Sequence, residues 1–153
     1  MLIERLNKPL EIPFSRGGSK YSNMINIITK IAVNVKPVRH ARTASGLFYK
    51  KELVSVGICQ NKSHPFQALY SKHEDAIFLH SETDCIKNAL KELSLEEISK
   101  CTMCICRVKY TDAKKKKQIF GHSKPCIGCM KAIVTFNISN IVYSLDEEGY
   151  NVI

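Results

Sequence analysis

Apolar residues first take a helical period at Met24, Ile27, Ile28, Ile31 and Val35, which predicts an amphipathic helix from Tyr21 that Pro37 closes. The preceding residues 1–19 carry Pro9, Pro13, Gly17 and Gly18 and read as an irregular basic arm, leaving 20–153 as a single domain. Two strand-like runs follow, Gly46 to Lys50 and Leu53 to Gln60. The short Lys51-Glu52 link between them predicts an antiparallel hairpin. Asn61 to Pro65 is rich in turn formers, and the pattern from there to Phe78 fits neither period. Ile86, Ala89, Leu90 and Leu93 then repeat at helical spacing, which predicts a second helix over Ser81 to Leu93.

Thr102 to Tyr110 reads as a strand, followed by a loop containing Lys114 to Lys117. Pro125 suits the first turn of a third helix whose apolar face is Met130, Ile133 and Val134. Ile141 to Leu145 is a strand, and the turn Asp146 to Gly149 leads to Tyr150 to Ile153. That connection is too short for a crossover, so the last strand should run antiparallel. The order predicts a three-layer α/β fold with helices over a mixed central sheet.

At 153 residues the chain suits one domain. No apolar run approaches about 18 residues, so no membrane-spanning helix is expected. Met1 to Arg5 lacks the plan of a secretory signal, which implies a cytoplasmic protein. Seven cysteines is an odd count there and points to reduced thiols or metal ligands. The net charge of +9 is uneven: residues 1–50 hold nine basic and two acidic side chains, while residues 51–100 hold six and eight. Basic ends suit an anionic partner such as a nucleotide or single-stranded nucleic acid, or serve solubility alone.

Two short motifs carry chemistry: His80-Ser81-Glu82 at one predicted helix start and Pro125-Cys126-Ile127-Gly128-Cys129 at another. Cys-x-x-Cys there sets two thiolates on one side of the first turn, where the helix dipole favours negative charge. With His80 they make a three-ligand site whose open fourth position is the pattern of a catalytic rather than a structural zinc. Glu82 is close enough to exchange protons with a metal-activated water without binding the metal.

The pairing of H-x-E with P-C-x-x-C resembles the zinc-dependent cytidine and deoxycytidylate deaminases, in particular the stand-alone dCMP type. Leu79 to Ile86 and Ser123 to Cys129 are similar to the family's two motifs, and the likeness covers roughly residues 44–145. One departure is Ser81, where a small Ala is usual. The resemblance implies a cytidine-deaminase-like fold with helices on both faces of the sheet. It implies hydrolytic deamination of a cytosine nucleotide, dCMP to dUMP first, by zinc-activated water with Glu82 as proton shuttle. It also implies that Asn61 binds the sugar, that backbone groups of Ser81 and Lys124 hold the base edge, and that neighbouring subunits complete the pocket in a homo-oligomer. Lys62 beside Asn61 is the candidate phosphate contact. The alternative is a deaminase acting on cytosine or adenine within DNA or RNA. A histidine ligand is more typical of nucleotide and nucleic-acid members, an antiparallel final strand of free-nucleoside members.

The other candidates have simpler readings. Cys59 and Cys85 read as core residues. Cys101, Cys104 and Cys106 lie on a strand, where alternation keeps them from converging on a second metal. His64 and His73 read as loop residues, His64 being able to approach a phosphate. His40 offers no constellation, and His122 precedes the second motif closely enough to line its pocket. Lys114 to Lys117, Arg39 and Arg42 read as solvated charge or as phosphate contacts.

Overall fold

A computed structural model describes residues 10–12, 19–37, 41–70, 78–110, 118–146 and 150–152. The chain is an α/β protein with a mixed open sheet. Its described elements are β1 (Leu10–Ile12), α1 (Ser19–Ala32), β2 (Ala41–Tyr49), β3 (Glu52–Ile58), α2 (Pro65–Tyr70), α3 (Ser81–Ala89), α4 (Leu95–Ser99), β4 (Thr102–Tyr110), β5 (Gln118–Gly121), α5 (Ile127–Thr135), β6 (Asn140–Ser144) and β7 (Tyr150–Val152). The sheet runs β1-β7-β6-β4-β2-β3. β4 and β6 are parallel, whereas β4 pairs antiparallel with β2. β5 pairs with β4 beyond the stretch that β6 occupies.

Alternation along β4 divides the interior. Cys104, Cys106 and Val108 face α1 and pack on Met24, Ile25, Ile28 and Ala32. Met103 and Ile105 face the other way, onto Cys85, Ile86 and Ala89 of α3 and Ala132 and Ile133 of α5. Helices therefore cover both faces of the sheet. A fully buried isoleucine such as Ile25 contributes about 2 kcal/mol.

Several boundaries differ from the sequence reading. A strand, β1, lies within the arm expected to be irregular and pairs antiparallel with β7. In α1 the buried stripe includes Ile25, while Ile27 is 41% exposed, because the apolar stripe turns one position from the predicted face. The hairpin turn is centred on Lys50 and Lys51, both at positive φ (49° and 70°), and Tyr49 pairs with Glu52. Those dihedral signs match the twist of a two-residue hairpin loop. α3 ends at Ala89; Leu90 is exposed, and Leu93 folds back onto the core after a turn. The final strand is antiparallel to β6, as expected. His40, His73, Arg39 and Lys114 to Lys117 lie outside the described residues.

Candidate metal centre and its cleft

The two motifs meet at the N-terminal ends of α3 and α5. His80 is the N-cap of α3, with extended backbone (φ −81°, ψ 159°). Cys126 is the N-cap of α5, so Pro125 sits just outside the helix and not in its first turn. Cys129 follows at the third helical position, and its N–H donates to Cys126 Sγ at 3.4 Å. His80 Nδ1 lies 3.5 Å from Cys126 Sγ and 3.3 Å from Cys129 Sγ. The three donor atoms fall within 4.8 Å of one another, a group that could hold a metal ion.

The thiols share one negative charge. The hydrogen bond from Cys129 pulls the Cys126 thiol down to about 4, with His80 adding to the effect. The same bond, with burial, holds the Cys129 thiol well above its usual range. A cation in place of the shared proton would let both sulfurs ionise, which is how metal binding competes with protons at such sites. One imidazole and two thiolates suit zinc, with a fourth position left open. Among the described residues no other trio of His, Cys, Asp or Glu side chains converges in this way. Cys101, Cys104 and Cys106 are buried in the two cores, with pKa values raised by burial for Cys101 and Cys104.

Glu82 stands beside this trio, its Oε2 3.1 Å from Cys129 Sγ. Burial raises its carboxyl above the usual range, and His80 partly offsets the rise. Its position follows from the seating of α3 on β3. Gly57 makes that seat, because a Cβ there would lie 2.1 Å from Ser81 O and 2.2 Å from Cys85 N. Asp84 fastens the same turn, accepting from Ile58 N at 3.0 Å and Gln60 Nε2 at 3.2 Å. Ser81 uses the hydroxyl that distinguishes it from Ala to bond Ser45 Oγ at 2.6 Å.

Gln67, which the sequence pattern did not single out, is buried in α2 and holds the backbone at His80. Its Oε1 accepts from His80 N at 3.1 Å and from the Thr83 hydroxyl. Phe66 and Tyr70 dock α2 on Phe136 at the end of α5, with Phe66 6.2 Å from Phe136. His64 is occupied at the start of α2, where Nδ1 accepts from Phe66 N at 3.0 Å.

A cleft of about 280 Å³ opens over the trio. Its walls include the expected Ser81, Glu82, Lys124 and His122, together with Cys59, which was expected in the core and packs partly buried at its edge, and Arg107, which the sequence pattern did not single out. His122 packs edge-on to Tyr143. Asn61 and Lys62 are exposed and are not among the lining residues. Arg42 spends its Nε on Val35 O at 2.8 Å. Among the described residues no helix is long and apolar enough to cross a membrane. No protein-family model and no curated protein sequence matches this chain.

Proposed function

We propose that the protein is a zinc-dependent deaminase with a cytidine-deaminase-like fold, hydrolysing a cytosine nucleotide, dCMP first, to its uracil counterpart and ammonia. The observation that carries this reading is the buried Glu82 carboxyl beside, but not part of, the His80-Cys126-Cys129 donor trio, at the floor of an open cleft. A structural metal knuckle has no use for such an acid.

Bound zinc supplies Lewis acidity that makes water a nucleophile near neutral pH. The chain supplies the rest. The reaction breaks the carbon–nitrogen bond at the ring carbon, forms a carbonyl there, and needs protons delivered to the ring nitrogen and the leaving amine. Glu82 Oε2 is the group placed to take a proton from water as the carboxylate and hand it on, and the rise that burial gives its carboxyl strengthens its hold on that proton between the two transfers. Ser81 and Lys124 line the cleft, where their backbone groups can hold the base edge. Gln67, Asp84 and Gly57 keep His80 and Glu82 in register with α5.

The test is ammonia release from purified zinc-loaded protein given a panel of nucleosides, nucleotides and oligonucleotides. Turnover of a cytosine nucleotide is expected, with Glu82→Ala keeping zinc while losing about 10²–10⁴-fold in rate. Zinc-loaded protein inert toward the whole panel refutes the reading.

A further inference from the structure

On β4, the positions facing α3 and α5 run Met103, Ile105, Arg107 and Lys109. The first two are fully buried in the core, and the next two are cations. Lys109 has a carboxylate partner, Asp146, at 3.0 Å. Arg107 has none: the ion pairs among the described residues are Lys87–Asp84, Lys100–Glu96 and Lys109–Asp146. Its Nε is buried without a hydrogen-bond partner. A buried donor left unmade is costly, and Arg107 also lines the cleft without a carboxylate partner among the described residues, so its guanidinium is a group that an anion entering the cleft can pair with.

The fold makes room for this side chain. Gly121 lies opposite Arg107 in the β4–β5 ladder, and a Cβ on it would sit 3.0 Å from both Cγ and Cδ of the arginine. The aliphatic stem therefore lies along the bare glycine backbone. The strand position is pinned from the other side, where Arg107 N donates to Ser144 Oγ at 3.1 Å. Ser144 belongs to a buried junction with Ser123 that also fixes the loop leading to Cys126. Arg107 and the metal-binding loop are thus held by the same serines.

Arg107 and Lys124 line one cleft with His80 and Glu82. That gives two basic side chains beside one acid already assigned to proton transfer. A guanidinium presents two parallel N–H donors that match a phosphate better than a point charge does. We propose that Arg107 binds the 5′-phosphate of the substrate and selects a free nucleoside monophosphate over the bare nucleoside. The inference deepens the deaminase reading and rests on it for the identity of the base, though not for the anion. It moves the phosphate contact from Lys62, which lies outside the cleft lining, to β4.

The test uses zinc-loaded wild type, Arg107→Gln and Arg107→Lys, each checked for zinc content and circular dichroism. Inorganic phosphate should raise the melting temperature of wild type, Arg107→Gln should remove that rise, and Arg107→Lys should restore part of it. dUMP should bind wild type about 10–100-fold more tightly than deoxyuridine, the range expected for hydrogen bonds to a charged group, and Arg107→Gln should erase that ratio. In turnover, kcat/KM for dCMP relative to deoxycytidine should fall by a similar factor, mainly through KM. Phosphate stabilisation that survives Arg107→Gln overturns the inference, as does equal binding of dUMP and deoxyuridine by wild type. Loss of affinity for a deoxyuridine-containing oligonucleotide with dUMP unaffected overturns the assignment to a free nucleotide. Arg107-dependent phosphate and dUMP binding without ammonia from any substrate leaves the inference standing and sinks the deaminase reading. Deamination that is indifferent to Arg107 does the reverse.

Discussion

Gly57→Ala is the substitution that most directly tests how the fold builds the site. The new Cβ would lie 2.1 Å from Ser81 O, 2.2 Å from Cys85 N and 2.8 Å from the Cys85 Cα. All three are backbone atoms of α3, so no side chain can swing away. Restoring ordinary contact, about 3.5 Å, requires α3 to lift from β3 by about 1.4 Å. Overpacking of a core usually costs about 1–3 kcal/mol, and a clash with rigid helix backbone belongs at the upper end or beyond. The functional consequence is sharper. His80 precedes Ser81, and its Nδ1 now lies 3.3 Å from Cys129 Sγ on a different helix. Metal sites tolerate about 0.2 Å in ligand distance, so a lift of this size should weaken zinc binding even where the chain still folds. Urea denaturation with and without zinc, and competition with a chromophoric chelator, give the two magnitudes separately. Stability within 0.5 kcal/mol of wild type, about the scatter of neutral surface changes, together with undiminished zinc affinity would show that α3 is not seated on Gly57.

The remaining predictions are smaller in scope. Cys126→Ser should abolish stoichiometric zinc, because it removes the sulfur that ionises first; one zinc per chain in that variant places the metal elsewhere. Gln67→Leu leaves His80 N without its acceptor and should cost about 1–3 kcal/mol, read by denaturant midpoint, with zinc weakened in parallel; wild-type values for both would remove Gln67 from the site's support. Ser94→Ala breaks the reciprocal cap with Glu97 and should cost about 1 kcal/mol without touching zinc content. Asp146 is held below the usual carboxylate range by Lys109 first and then by His122 N. Its contribution to stability is therefore present above its unfolded pKa and lost as pH falls through the lower folded value. Asp146→Asn should flatten the acid-side decline below about pH 4, and an unchanged decline refutes the coupling.

Elements dominated by local signals were legible in the sequence. β4 spans Thr102–Tyr110 as predicted, since its alternation serves two helix layers at once. The antiparallel β7 followed from the length of its connection. Elements made by pairing were not. β2 starts at Ala41, five residues before the predicted strand, because the small and polar stretch Ala41 to Ser45 becomes a strand only between β3 and β4. β5 is four residues long and exists through its ladder with β4. α4 did carry a local signal, the Ser94-x-x-Glu97 capping box, although its five residues hold too little periodicity to register.

The site divides along the same line. Candidate metal ligands at helix starts are short-range patterns, since Cys126 and Cys129 share a turn whatever the rest of the chain does. Gln67 and Arg107 act across elements, and their roles depend on where α2 docks and where the helix cover over β4 ends. Arg107 nevertheless had a signal. Once Thr102 to Tyr110 is read as a strand, residue 107 shares a face with Met103 and Ile105, which are buried. An arginine on an inward face is expensive unless it is answered. Lys109, two residues on, is answered by Asp146, and Arg107 by no described side chain. A cation at an inward strand position, level with the loop that carries Cys126, is thus the sequence-level counterpart of the proposed anion subsite, and the structure adds the glycine that gives it room.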